Sequence, residues 1–175
     1  MTAVRVRRAS LDDADAIARI WHDGWADGHA GHVPDELYRH RTAASYPPRV
    51  RARLASTWVA EAGGAVRGFV VVVDAEVEQV YVDAAARGSG VAAALLARAE
   101  SVVADAGHDR AWLAVVAGNA RARRFYERSG WVDAGPLDYA AEVAGGVVVV
   151  PCRRYEKPVT GAGAGGPRSR PPRAR

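Results

Sequence analysis

The sequence predicts a mixed α/β domain built around one central sheet, and three observations carry that prediction. Short valine-rich segments of strand length recur from residue 4 to residue 157. Helical segments with recognisable caps and apolar stripes interrupt them, and the whole fits one central sheet flanked by helices. Counted along the chain they are six to seven strands flanked by about four helices. A length of 175 residues corresponds to one domain, large enough to bury about two-thirds of its unfolded surface.

Val4 and Val6 alternate with arginines and predict an edge strand. Ser10 then offers an N-cap, and Asp12 and Asp13 an acidic first turn, for a helix reaching about Trp25, with Ile17, Ile20 and Trp21 on its apolar face. A second short helix opens at Pro34, and residues 39–53, which contain Pro47 and Pro48, read as loop or broken helix. Residues 57–61 and 66–73 form two strands joined through Gly63-Gly64, a hairpin signal. A strand over 77–82, a glycine-bearing turn and a helix to about Ala106 follow; Leu95, Leu96, Ala99, Val102 and Val103 make the stripe of that helix, and Gly107 stops it. Residues 111–116 are a buried strand, 119–129 a helix stopped by Gly130, and a last pair of strands runs from Trp131 to Lys157 around Gly145-Gly146. One domain over 1–159 and a disordered tail over 160–175 result, because the Gly/Pro/Arg tail lacks apolar residues to bury.

The formal net charge of +4 is carried by Arg168, Arg170, Arg173 and Arg175 of that tail, so the body is formally neutral and no nucleic-acid partner is expected. Cys152 is the single cysteine, which excludes an internal disulfide and suits a reducing compartment; in its strand context it reads as a buried thiol rather than a nucleophile. Residues 1–8 do not resemble a signal peptide, and no segment reaches the roughly 18 apolar residues that span a bilayer. A cytoplasmic protein without a membrane partner is expected.

The chemistry concentrates at Arg87-Gly88-Ser89-Gly90-Val91-Ala92. Between a strand and a helix, these residues bring unpartnered backbone N–H groups and a positive helix terminus to one point, a natural seat for phosphate. Gly88 and Gly90 let the backbone approach closely, and Arg87 adds a cation that can fork onto phosphate oxygens. Some thirty residues on, Asn119 caps the helix that carries Tyr126, and a separation close to two helical turns turns both the same way.

With Tyr81-Val82-Asp83 before the turn, Arg-x-x-Gly-x-Ala over 87–92, Asn119, Phe125-Tyr126-Glu127 and Ser129-Gly130-Trp131, the chain resembles the GNAT superfamily of N-acetyltransferases over about 77–131. The resemblance implies a single GNAT-like domain with a mostly antiparallel, twisted mixed sheet. It implies an acetyl-CoA-dependent transfer to a primary amine by direct attack in a ternary complex. Backbone groups of Val80, Tyr81 and Val82 would pair with the pantetheine arm, and amides from Gly88 through Ser89, Gly90, Val91 and Ala92 to Ala93 would hold the diphosphate. The Val82 amide would polarise the thioester carbonyl. Asn119 would orient the arm, and Tyr126, a phenol with a reference pKa of about 10, would protonate the departing thiolate. Glu78 is the leading candidate base. The stretch 21–34 would form one acceptor wall, with Trp25, His29 and His32 as contacts, and Tyr139 with Glu142 would stand opposite. No Cys or Glu completes a metal-ligand spacing around His22, His29 and His32, so no metal is expected. Ala114 occupies the strand position at which relatives that acetylate protein N-termini commonly carry Glu, which counts against that acceptor class.

The acceptor is expected to be a small-molecule or peptide amine, and the protein a monomer or homodimer. Two rival readings remain. Gly88-Ser89-Gly90-Val91-Ala92-Ala93 also fits the G-x-G-x-x-A form of an NAD- or flavin-binding turn, although Ala117-Gly118-Asn119 offers no acid for a ribose. A non-catalytic acyl-CoA-binding module would keep the fold without the chemistry.

Overall fold

A computed structural model describes residues 3–160. The tail expected over 160–175 lies, from residue 161 onward, outside the described residues. The elements are β1 (Arg5–Arg8), α1 (Ala14–His29), α2 (Asp35–Arg39), α3 (Tyr46–Arg53), β2 (Thr57–Ala62), β3 (Ala65–Val73), β4 (Glu76–Val82), α4 (Val91–Asp105), β5 (Arg110–Val116), α5 (Ala120–Arg128), β6 (Val132–Val143) and β7 (Gly146–Pro158). One seven-stranded sheet runs β1-β2-β3-β4-β5-β7-β6, antiparallel throughout except where β4 meets β5.

The α/β prediction holds, with three local differences. Residues 46–53 form a helix where a loop or broken helix was expected, because Pro47 and Pro48 occupy its first turn, whose N–H groups have no intrahelical acceptor to lose. Helix α1 runs past Trp25 to His29, through Gly24 and Gly28, each of which weakens a helix by about 1 kcal/mol relative to Ala. Both glycines lie where α1 packs most closely: a Cβ on Gly24 would sit 2.5 Å from Tyr81 Cδ1, and one on Gly28 3.2 Å from Asn119 Nδ2. Trp131, expected to open a strand, precedes β6 and is buried in the core, its Nε1 donating to Glu100 at 2.9 Å. Gly63 and Gly64, both at positive φ, make the predicted β2–β3 hairpin.

Alternation along the strands divides the core between the two faces of the sheet. Val70, Val72 and Val77 pack with the α4 stripe of Val91, Leu95, Leu96, Ala99 and Val103, and with Tyr126 and Trp131. Phe69 and Val71 face Ile17, Ile20, Trp21 and Trp25 of α1 and Tyr46 and Val50 of α3. Trp21 meets Phe69 at 5.5 Å and Tyr46 edge-on at 5.8 Å, a contact class worth about 0.5–1.5 kcal/mol beyond area burial. The sheet thus carries α4 on one side and α1 and α3 on the other, and the site forms where β4 and β5 part between them.

Candidate active site

Strands β4 and β5 are registered at one residue pair, Glu76 with Trp112, and Trp112 N–H donates to Ala75 O at 3.0 Å. Beyond it β4 pairs on its other edge with β3, and β5 on its other edge with β7, so their facing edges keep free backbone groups. Asp83 N–H donates to Arg67 O of β3 at 2.8 Å. Because successive N–H groups alternate across a strand, Val82 N–H and Val80 N–H point into the seam. Val77 to Val82 and Leu113 to Val116 line the resulting cavity of about 960 Å³.

The seam ends at the glycine turn. Asp83 caps a short 3-10 turn over residues 84–86, its Oδ1 accepting from Ala85 N–H at 3.1 Å. Gly88 and Gly90 have φ of 76° and 89°, the left-handed region that favours glycine, and nothing lies within 4 Å of where a Cβ would stand on either. Gly90 is the N-cap of α4, and the first helical bond is Ala94 N–H to Gly90 O at 3.0 Å. The amides of Val91, Ala92 and Ala93 are therefore left for another acceptor. Ser89 turns its hydroxyl inward, Oγ donating to Ala86 O at 2.6 Å. Arg87 Nη2 lies 2.8 Å from Asp27 Oδ2 of α1, which Arg121 of α5 also reaches at 2.7 Å. The Arg121 hydrogen bond holds the Asp27 carboxyl below its ordinary pKa.

On the opposite flank Asn119 caps α5, Oδ1 accepting from Ala122 N–H at 3.0 Å, with its amide nitrogen beside Gly28 of α1, and both residues line the cavity. Tyr126, 9% exposed, also lines it. Its ring packs on Trp131 and Tyr155 with centroids 6.2 and 6.1 Å away, and among the described residues nothing hydrogen-bonds its hydroxyl. Burial drives the phenol pKa above its ordinary value, so the group stays protonated. The frame behind it is polar and fixed. Tyr155 donates to Glu127 Oε1 at 2.8 Å, and Lys157 Nζ holds Glu100 at 2.8 Å and Ser129 O at 2.9 Å.

The β4 acids face the cavity from the α1 side. The β3–β4 register slips between Val71, opposite Gln79, and Val72, opposite Val77, so Glu78 is the extra residue of a bulge. Glu78 is forked by Arg53, with Nε 2.8 Å from Oε2 and Nη2 2.9 Å from Oε1. Glu76 Oε1 accepts the Tyr139 hydroxyl at 2.8 Å, and burial followed by the nearby Glu78 charge raises its proton affinity despite that hydrogen bond. Tyr139 thus stands on the far wall beside Glu76, and Trp25 and His29 stand on the near one, stacked at 4.8 Å. His29 Nδ1 lies 2.9 Å from Trp25 O and must carry the proton there, and burial pulls its pKa down to about 4. His32 does not reach this cavity. It packs over Gly118 and lines a separate small cleft with Asp27 and Arg121, because the turn after α1 folds toward the start of α5. His22 pairs with Asp23 at the surface. Cys152 is buried, its thiol pushed up to about 11, as expected of a packing residue.

Sequence reasoning did not single out Gly24, Glu76, Arg53, Arg41 or Arg49, all of which line the cavity. Gly24 and the four-residue spacing to Gly28 were the available signal. The others become visible only when α3 and β6 are folded against β4.

The family model described as Acetyltransferase (GNAT) family matches residues 15–131, and the chain belongs to this family of acetyltransferases. An N-acetyltransferase from Staphylococcus aureus Mu50 is similar in fold, with a TM-score of 0.68 at 22% identity over 90% of this chain and 99% of that one. The PaiA N-acetyltransferase of Thermoplasma acidophilum in complex with coenzyme A gives 0.61 at 17% identity, covering 89% and 99%. The yncA structure from Salmonella typhimurium with its cofactor acetyl-CoA gives 0.62 at 19%, covering 99% and 100%. No curated protein sequence matches the chain.

Proposed function

We propose that this acetyltransferase is an acetyl-CoA-dependent N-acetyltransferase that moves the acetyl group to a primary amine by direct attack in a ternary complex. The observation that carries the reading is the β4–β5 seam, open along both backbone edges and closed at one end by a glycine turn with free helix-terminal amides. A ligand that fits must offer peptide-like groups along an extended arm and an anion at its end, as coenzyme A does and as two of the structural neighbours hold. When bound, acetyl-CoA supplies an activated acyl group on a thiolate leaving group.

This chain's residues then do four things. The amides of Gly88 and of Gly90 to Ala93 and the Arg87 guanidinium hold the diphosphate; Ser89, expected among these donors, instead gives its N–H to Ala86 O at 3.3 Å. Val80 and Val82 hydrogen-bond the arm, and Val82 N–H faces the thioester oxygen, where charge develops. Tyr126, kept protonated by burial, gives its proton to the departing sulfur. A carboxylate takes the proton that the attacking ammonium must lose, directly or through water. Of the two on β4, Glu76 is better matched, since Arg53 already engages both oxygens of Glu78. The base expected at Glu78 therefore moves two residues along the same strand in this reading, and Glu78 holds Arg53.

Calorimetric titration of the purified protein with acetyl-CoA, with NAD as control ligand, tests the coenzyme. Micromolar binding of acetyl-CoA alone, followed by CoA release with an amine panel, supports the transferase. Binding without turnover by any amine supports a non-catalytic acyl-CoA module, and binding of NAD alone a dinucleotide site.

A further inference from the structure

The acceptor side of the cavity has a corner that the transfer chemistry leaves unused. Arg41, between α2 and α3, and Arg49, on α3, both line the cavity and converge on one acceptor, the backbone carbonyl of Glu142 on β6. Arg41 Nη2 donates to that oxygen at 3.0 Å, and Arg49 Nη2 and Nη1 approach it at 3.4 and 3.5 Å. Among the described residues neither guanidinium has a carboxylate within ion-pair distance. The Glu142 carboxylate extends toward Arg53 instead, 3.3 Å away.

A single carbonyl accepts two hydrogen bonds, whereas two guanidiniums present ten N–H groups. Arg41 Nη1 is buried with no partner, and the Tyr46 hydroxyl, under the influence of both arginine charges, is orphaned in the same way. Burial and then repulsion from Arg49 bring the Arg41 pKa down to about 10, still cationic at neutral pH. A tether between α3 and β6 would need one arginine. Two of them, mutually repelling and short of acceptors, describe half of a forked anion site. Arg49 is held in place by the Trp21 ring, 5.7 Å from its Cζ. Glu76 and Glu78, on β4, supply the opposite charge in the same cavity.

Resting on the transferase reading, we infer that Arg41 and Arg49 bind a carboxylate of the acceptor, so that the amine acetylated here belongs to an amino acid or a similar amino-carboxylate. The amine would lie toward Glu76 and the seam, the carboxylate toward the arginine pair. In the transfer one ammonium proton goes to Glu76 before attack, the C–N bond of the amide forms, the C–S bond of the thioester breaks, the sulfur takes the Tyr126 proton, and the second proton that the nitrogen loses restores the Tyr126 phenol. The carboxylate stays on the arginines, unchanged.

The full chain is assayed for CoA release with amino acids of small, aliphatic, aromatic and acidic side chain, each against its own carboxamide at matched ionic strength. In parallel, the N-acetyl amino acids and their carboxamides are titrated calorimetrically into protein saturated with CoA, a readout that needs no turnover. At least one carboxylate is expected to exceed its carboxamide by tenfold or more in kcat/KM or in affinity. Arg41→Gln and Arg49→Gln should each erase that preference while acetyl-CoA affinity stays within twofold. Equal treatment of carboxylates and carboxamides by the wild-type chain overturns the inference, as does a preference that survives in both variants. If carboxylates bind through the arginines but no amine turns over, the anion site stands and the transferase reading falls.

Discussion

Glu76 and Trp112 are the one registered residue pair across the β4–β5 seam. Everything C-terminal to that pair on the two strands diverges, and the cavity lining is set along the divergence: Val80 and Val82 on one edge, Leu113 to Val116 on the other, the glycine turn at the far end. Glu76 is thus both the hinge of the split and, in the proposed reaction, its base.

Tyr126→Phe removes the proposed proton donor and keeps the ring packed against Trp131 and Tyr155. The value of kcat should fall by roughly ten- to a thousand-fold, the range for loss of a general acid, with the Kd of acetyl-CoA unchanged within about twofold. Steady-state kinetics and calorimetry check the two halves. Full kcat under conditions where chemistry limits the rate would dismiss the assignment.

Gly90→Asp places a negative side chain in the space where the diphosphate is proposed to sit, on a backbone at φ 89°. Acetyl-CoA affinity should drop by roughly a hundredfold, about 2.7 kcal/mol. Gly90→Ala isolates the backbone part, with a stability loss of about 1–2 kcal/mol from the left-handed conformation and a smaller loss of affinity. Equal affinities in the two variants would show that charge and bulk at this point do not matter.

His29 sets a pH dependence of stability. Its folded pKa, about 4, lies below its ordinary 6.5, so between those values the unfolded chain binds the extra proton. The stabilisation is therefore fully present above about pH 6.5 and is lost as pH falls toward 4, amounting to at most about 3 kcal/mol. Denaturant unfolding at pH 7.5 and pH 5 should show this decline in the wild type and a flatter dependence in His29→Gln. Parallel slopes in both proteins would refute it.

The two β4 acids separate by function. Glu76→Gln should lower kcat/KM by about a hundredfold at neutral pH and remove the acidic limb of the pH–rate profile. Glu78→Gln should instead release Arg53, lowering the melting temperature while leaving the acidic limb in place. If only Glu78→Gln abolishes the limb, the two carboxylates exchange roles.

The local parts of the site were legible because they rest on short-range rules. Gly88 and Gly90 mark a turn between a strand and a helix whatever the rest of the chain does, and Asn119 caps α5 as its side chain predicts. The seven strands followed from valine-rich segments with turn residues between them. The acceptor side was far less legible. Arg53 meets Glu78 across 25 positions and Arg41 meets Glu142 across 101, and no periodicity encodes such meetings. Pro47-Pro48 suggested a break and instead begins α3, since proline is a helix breaker only after the first turn. His32 shows the converse: membership in a histidine-rich stretch did not determine which side of α1 it would reach.

Asp27 already occupies the cations that flank the glycine turn, 2.8 Å from Arg87 and 2.7 Å from Arg121. In the proposed reading, a ligand phosphate that recruits Arg87 arrives as a competitor, one anion exchanged for another, so the affinity measured for it is a difference between two attractions rather than the strength of either. That exchange would leave Asp27 of α1 tied to α5 through Arg121 alone. In the proposed reading, donor binding would therefore be felt, through a single carboxylate, by the helix that carries Trp25 and His29.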